Sequence, residues 1–172
     1  MSFELALRTC HLGSVERKMR KIKNPLTKED MDIEAFDDQG LTNSEKKAVR
    51  ELLDQAKSGD GDVGPYEDLD LRFPDGGVVA VWAGGLEKED RFEGFSFTVW
   101  EATADVAKLL FKLSQAGNLI IVPAGEGVDP WVSSTSQQKL VSARWPNAKV
   151  IATEEQMQTE LERAAPILEV ED

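Results

Sequence analysis

The sequence predicts an α+β fold, in which a mainly antiparallel sheet carries its helices largely on one face. Three observations predict it: short segments that alternate apolar and polar residues, longer segments with helical apolar spacing, and an order that groups strands before it alternates them with helices. The length of 172 residues fits one domain over 1–172. The later alternation allows one β-α-β crossover near the C-terminus.

Strands are predicted where apolar and polar residues alternate with a period of two. Residues 3–8 alternate large apolar side chains with small or charged ones. Residues 69–73, 78–83 and 95–99 form three further segments, and a Pro-Asp-Gly-Gly turn joins the first two of them. We therefore expect an antiparallel meander, followed by a short buried strand over 119–122.

Helices are predicted where a capping residue precedes apolar residues spaced by three and four. Thr42 and Glu45 form a capping-box pattern, in which each side chain satisfies a free backbone amide at the helix start. A second helix begins after Thr103, and two more follow Ser and Thr capping residues nearer the C-terminus. Prolines stop the last two helices, so residues 166–172 are expected to form a flexible acidic tail.

The region between the first strand and the first strong helix contains segments of opposite charge. Residues 15–23 combine five basic side chains with apolar residues at helical spacing, which is typical of a short amphipathic helix. Residues 24–41 lack periodicity and carry six acids, so they are expected to form an acidic loop. A docking arm for an acidic neighbour is an alternative role for the basic segment.

Charge is unevenly distributed along the chain, whose net charge is −12. Residues 1–28 carry seven basic and two acidic side chains, a balance of +5, whereas the remainder carries thirteen basic and thirty acidic ones, a balance of −17. An acidic body repels nucleic-acid phosphates and attracts basic surfaces, so we do not expect it to bind nucleic acid. Two interpretations stay open, solubility alone and a basic protein partner.

Several function classes find no support in the composition. No apolar run approaches the ~20 residues that span a bilayer, and the N-terminal residues lack the pattern of a secretory signal, so we expect no membrane association and a cytoplasmic location. Cys10 is the single cysteine and His11 the single histidine, which argues against an intrachain disulfide and a Cys/His zinc site. No cofactor and no metal are predicted.

Three local patterns resemble functional sites but lack part of the required chemistry. The stretch 123–131 has two glycines after an apolar run, yet it has no lysine and no third glycine, so a turn is predicted instead of a phosphate loop. The sequence has no Gly-x-Ser-x-Gly motif, so it does not support a Ser-His-Asp triad that includes His11. A Cys10–His11 catalytic pair is not expected either, because neighbouring residues of a strand point to opposite sides. Asp60 and Asp62 resemble the start of a calcium loop whose later ligand positions are wrong.

The sequence favours a binding protein over an enzyme, with no catalytic residue predicted. We expect a small acidic module that binds a basic protein, for example an inhibitor or immunity-type protein that neutralises a nuclease toxin. Trp82 and Trp100 are expected in the core because they lie in predicted strands. The predicted contacts come from three acidic segments and one tryptophan: Asp32, Glu34, Asp37, Asp38, Asp60, Asp62, Asp68, Asp70, Glu87, Glu89, Asp90 and Trp131. The alternatives are a carboxylate-dependent enzyme using a divalent metal and a structural or secretion-apparatus subunit.

Overall fold

A computed structural model of the chain describes residues 2–13, 16–24, 26–57, 66–87 and 91–168. Its elements are, in chain order, β1 (Phe3–Thr9), β2 (Lys18–Lys23), β3 (Asp30–Ala35), α1 (Asn43–Ala56), β4 (Leu69–Arg72), β5 (Val78–Trp82), β6 (Gly94–Glu101), α2 (Ala104–Gly117), β7 (Leu119–Pro123), β8 (Trp131–Val132), α3 (Thr135–Val141), β9 (Lys149–Val150) and α4 (Glu154–Leu168). The α+β class predicted from the sequence is confirmed.

Seven strands form one mixed sheet in the order β4-β5-β6-β1-β7-β8-β9, and β2 pairs with β3 in a separate hairpin. Every pair in the large sheet is antiparallel except β8 with β9, which is parallel. The predicted meander is the segment β4-β5-β6, and the crossover that the sequence allows runs from β8 through α3 to β9. Both predictions are confirmed.

The side of the sheet that faces α1, α2 and α4 holds the main hydrophobic core. On β1, Phe3, Leu5 and Leu7 are buried and alternate with more exposed residues, as a strand with one covered side requires. Helix α2 contacts both α1 and α4 and buries Leu110 and Leu113 in the same core. Each such side chain stabilises the fold by about 1.5–3 kcal/mol when it is removed from water.

The opposite side of the sheet is covered by a helix at one end only. There α3 places Val141 in a second apolar cluster, which also contains Cys10, Ile120, Val132 and Ala148. This cluster lies at the β7-β8 end, whereas the outer sides of β4, β6 and β1 carry more exposed residues, and β5 exposes Trp82 there but buries Ala80. The prediction that the helices pack largely on one face is therefore confirmed.

The hairpin β2–β3 corrects two predictions about the N-terminal region. The amphipathic helix predicted over 15–23 is wrong, because residues 18–23 form β2, and the loop predicted over 24–41 is wrong for residues 30–35, which form β3. Opposite charges meet across the two strands, with Lys21 opposite Asp32 and Lys23 opposite Asp30. Each cross-strand pair of this kind stabilises a hairpin by about 0.2–1 kcal/mol, which favours the strand over a helix with few apolar residues.

The start of α1 has the predicted capping box, whereas α4 does not end at its proline as predicted. The Glu45 N–H donates to Thr42 Oγ1 at 3.2 Å, and the Thr42 N–H donates to Glu45 Oε1 at 2.8 Å. Helix α4 continues past Pro166 to Leu168, so the predicted stop at Pro166 is wrong. Burial of Leu168 in the main core offsets the loss of the proline's backbone donor. The rest of the predicted tail, 169–172, lies outside the described residues.

Candidate binding surface

The uncovered part of the sheet, which we call the open face, consists of the outward residues of β4, β5, β6 and β1. Two tryptophans lie on it: Trp82 is 55% exposed and Trp100 is 46% exposed. The core positions predicted for both residues are wrong. On β5, Val79 and Val81 belong to the main core, so the alternation of the strand places Trp82 on the other side.

Small side chains surround Trp82 on the open face. In the strand register Ser96 lies opposite Trp82 on one side and opposite Ala6 on the other, and Thr98 lies opposite Ala80. None of these four side chains is large enough to cover an indole ring. An exposed aromatic residue among small and polar neighbours is typical of an interaction surface.

The carboxylates around the start of β4 form what we call the acidic surface: Asp54, Glu67, Asp68, Asp70 and Glu87. Strands β4 and β5 are antiparallel, and Leu69 pairs with Val81. The register therefore places Asp68, just before β4, opposite Trp82, the last residue of β5. Asp70 lies opposite Ala80 and therefore faces the same side of the sheet as Trp82. The acidic surface thus borders the open face at its tryptophan.

Three of the predicted contact residues belong to this acidic surface. Asp68, Asp70 and Glu87 are exposed, and within the described ranges none of them forms an ion pair. A partner can therefore contact these charges without displacing an ion pair among the described residues.

Tyr66 connects the parts of the acidic surface. Its carbonyl oxygen accepts from the Ala83 N–H at 2.8 Å, which joins the start of β4 to the end of β5. Its hydroxyl donates to Asp54 Oδ1 at 2.8 Å. Burial, this hydrogen bond and the charges of Asp54 and Glu87 raise the pKa of Tyr66 to about 12. The phenol therefore stays a neutral donor in a negative environment.

The first predicted acidic segment, in contrast, meets basic side chains of the same chain. Asp32 and Glu34 are exposed on β3, where Asp32 lies opposite Lys21. Asp37 Oδ1 accepts from Arg91 Nη2 at 2.8 Å. Asp37 is thus compensated internally, and it is a weaker candidate for a partner contact than the acidic surface.

Asp38 is 2% exposed, so its predicted role as a partner contact is wrong. Its two carboxylate oxygens accept from the two Nη atoms of Arg144 at 2.6 and 2.7 Å, and Oδ1 also accepts from the Gly13 N–H at 3.1 Å. Burial alone would raise the pKa of Asp38, but these hydrogen bonds and the charge of Arg144 hold it below its usual value. The Phe36 ring centroid lies 3.7 Å from Arg144 Cζ, so the pair fixes the segment after β3 to the body.

Trp131 is 1% exposed, so its predicted contact role is also wrong. It pairs with Ile121 in the sheet, and its side chain packs in the main core. The turn predicted within 123–131 is confirmed, and Gly127 has the positive φ of +90° that glycine accommodates. The remaining predicted contacts lie outside the described residues: Asp60, Asp62, Glu89 and Asp90.

A groove of about 620 Å³, which we call the basic groove, lies between the β2–β3 hairpin and the open face. Four basic side chains and one acidic side chain line it: Arg8, Arg20, Lys21, Arg91 and Glu93. Glu93 accepts from Arg20 at 3.0 and 3.2 Å, which raises the pKa of Arg20, and it also pairs with Arg91 at 3.3 Å. The side chains of Arg8 and Lys21 form no hydrogen bond or ion pair with a described residue.

Sequence reasoning missed the basic groove because long-range pairing creates it. Arg8 lies on β1, Lys21 on β2 and Trp82 on β5, and the three residues meet only when the hairpin lies beside the sheet. The excess of basic residues in 1–28 is the one sequence signal for the groove. Because residues 15–23 fit a helical pattern, the sequence assigns their basic side chains to a separate docking arm and not to a groove beside the sheet.

Cys10 and His11 are not arranged as a catalytic pair. His11 Nε2 lies 2.9 Å from Glu45 Oε1 and 3.0 Å from Glu45 Oε2, and no hydrogen bond joins it to the thiol. Burial, together with the charge of Glu45, raises the pKa of Cys10 to about 12. The thiol is therefore protonated at neutral pH and is a poor nucleophile.

Two further kinds of functional feature are absent from the described parts of the chain. There, no three His, Cys, Asp or Glu side chains come together as ligands for a metal ion. The helices in the same ranges are too short or too polar to cross a bilayer. No protein-family model, no curated protein and no solved structure matches the chain.

Proposed function

We propose that the protein is a binding module whose partner is a basic protein surface. The proposal rests on the exposure of Trp82, whose side chain is 55% exposed. The strand register places it beside carboxylates that have no ion pair among the described residues. The form of this function that we propose is an inhibitor or immunity-type protein in the cytoplasm, which neutralises a basic partner such as a nuclease toxin. The net charge of −12 supports a basic protein over a nucleic acid as the partner.

The exposed indole supplies the apolar part of such an interface. A tryptophan buries about 150–250 Å² when it is covered, and tryptophan is enriched among the residues that dominate binding energy. Trp82 extends from a strand, so its backbone is fixed before a partner arrives. A fixed anchor loses little conformational entropy on binding.

The acidic surface supplies the selectivity for a basic partner. Lys and Arg side chains would meet Asp68 and Asp70 next to an aromatic ring, where a cation is attracted both by the carboxylates and by the face of the indole. Long-range attraction between the acidic body and a basic protein would also speed their encounter at low salt. Binding is therefore expected to weaken as salt increases.

Affinity capture with the full chain tests this proposal. The wild type, Trp82→Ala and the double variant Asp68→Asn with Asp70→Asn are immobilised and exposed to a lysate of the source cells at low and high salt. Glu126→Gln with Asp129→Asn is the matched control, because it removes the same charge from exposed residues of the turn between β7 and β8. Circular dichroism verifies that all four proteins are folded.

We expect the wild type and the control to retain a basic protein at low salt and to release it at high salt. Both open-face variants should lose it. The proposal is wrong if no basic protein is retained, or if the control variant loses the partner as completely as the open-face variants do.

A further inference from the structure

We propose that the basic groove binds a small organic anion, in which a phosphate or carboxylate group lies next to a planar ring. This site is distinct in chemistry from the acidic surface, although Trp82 borders both. The volume of about 620 Å³ falls within the range of about 300–1,000 Å³ that is typical of sites for small ligands.

The charges in the groove favour an anion. Its five lining charges sum to +3, because four are basic and one is acidic, and the pairing of Arg91 with Asp37 outside the lining reduces the balance to +2. Glu93 is already shared by Arg20 and Arg91. Arg8 and Lys21 consequently retain donors without an acceptor among the described residues, although Asp32 lies opposite Lys21 in the hairpin.

Arg20 is held in place in the wall of the groove. Its two Nη atoms donate to the two carboxylate oxygens of Glu93, which orients the guanidinium plane. Its Nε is buried and has no hydrogen-bond partner. A wall with a fixed cation needs little reorganisation when an anionic group enters.

The strand register places Arg8 next to a glycine in the wall of the groove. Arg8 lies opposite Gly94, where a Cβ would come within 2.2 Å of the Leu7 carbonyl oxygen and 3.2 Å of Arg8 Cδ. Glycine is therefore required by the close approach of β1 and β6, and Gly94 lines the groove next to Arg8. The guanidinium of Arg8 is the group we assign to contact the phosphate or carboxylate, together with the amine of Lys21.

Trp82 and Ser96 supply the contacts for the rest of the ligand. Both line the groove and lie opposite each other on β5 and β6. The exposed indole offers a flat surface on which a planar ring stacks. The Ser96 hydroxyl forms no side-chain hydrogen bond with a described residue, so it is available as a donor or an acceptor.

Isothermal titration calorimetry with four probes tests the assignment. Adenosine monophosphate carries both a ring and a phosphate, adenosine lacks the phosphate, pyrophosphate lacks the ring, and isophthalate carries carboxylates on a ring. The groove variant is Arg8→Gln with Lys21→Gln. The control is Lys47→Gln with Lys139→Gln, which removes two exposed cations of α1 and α3. Circular dichroism verifies that each variant is folded.

We expect at least one of the two ring anions to bind saturably, and more tightly than adenosine or pyrophosphate. The groove variant should weaken that binding by at least about tenfold, whereas the control should change it by less than about twofold. Comparison of adenosine monophosphate with isophthalate identifies the anionic group. Trp82→Phe should preserve most of the affinity, and Trp82→Ala should lose it, because only the former keeps a ring.

Three results would overturn the assignment. These are no saturable binding of either ring anion below about 10 mM, equal affinity for pyrophosphate and the ring anions, or equal losses in the groove and control variants. The test is independent of the proposed protein partner. Asp68→Asn with Asp70→Asn removes carboxylates of the acidic surface, and it should leave anion binding at least as tight as in the wild type.

Discussion

On β6, Phe95, Phe97 and Val99 point toward the helices, while the residues between and after them point to the open face. The first set is apolar and buried, whereas the second set, which includes Ser96 and Trp100, contains small polar side chains and an exposed tryptophan. One strand thus serves two surfaces with different requirements. The covered side needs close packing to hold the fold, and the open side needs chemistry that another molecule recognises.

Truncation on the covered side should have the largest effect on stability. Phe97 is fully buried in the main core, so Phe97→Ala should lower the free energy of unfolding by about 3–5 kcal/mol, through lost burial and the cavity left behind. Urea denaturation followed by circular dichroism measures this change. A loss below about 1 kcal/mol would contradict the description of this side as closely packed.

Breaking the Asp38–Arg144 pair should have the next largest effect. Arg144→Leu leaves the Asp38 carboxylate buried with one backbone donor, so the free energy of unfolding should fall by about 3 kcal/mol. Lys23→Gln is the control, because Lys23 and Asp30 are 4.0 Å apart with side chains 75% and 68% exposed. The control should change stability by less than about 0.5 kcal/mol. Equal effects of the two substitutions would contradict a special role for the buried pair.

Acid should remove the stabilisation that Asp38 supplies. Its pKa is lower in the folded than in the unfolded chain, so its contribution is present above the unfolded value of about 3.9 and is lost as pH falls through the folded value. Denaturation curves between neutral pH and pH values below the unfolded pKa should therefore show a shallower decline of stability for Asp38→Asn than for the wild type. A steeper decline in the variant would reverse the assigned sign.

Truncation on the open face should have the smallest effect on stability. Trp82→Ala and Trp100→Ala remove exposed rings, so each should change the free energy of unfolding by about 0.5 kcal/mol. Urea denaturation again provides the measurement, with Phe97→Ala as the reference. A loss comparable to that of Phe97→Ala would show that these rings support the fold and are not free to contact a partner.

Local sequence patterns predict much of the fold because local physics decides it. Thr42 and Glu45 close a capping box within one helical turn, and the alternation of 69–73 and 95–99 specifies which residues face the helices. The sequence does not indicate which side of the sheet Trp82 faces, because the residues of 78–83 are apolar at both odd and even positions. The exposure follows from the position of Trp82 at the end of β5, since Ala80, on the same side of that strand, is 4% exposed.

The candidate site depends on contacts between residues far apart in the chain. Asp38 and Arg144 are 106 residues apart, so no local pattern distinguishes this internal acid from a surface acid. Met19 and Ile22 fit a helical spacing, yet the charge pairs that flank Ile22, Lys21 with Asp32 and Lys23 with Asp30, favour a strand. Sequence reasoning therefore recognised that the chain is acidic, but it did not separate compensated carboxylates from available ones.

Site-specific photo-crosslinking tests most directly whether the open face is the partner-binding surface. A photoreactive amino acid replaces Trp82 in one protein and Leu140, an exposed apolar residue of α3, in another. In a lysate of the source cells, position 82 should form a covalent adduct with a basic protein, and position 140 should not. An adduct with that protein from position 140 and none from position 82 would contradict the account.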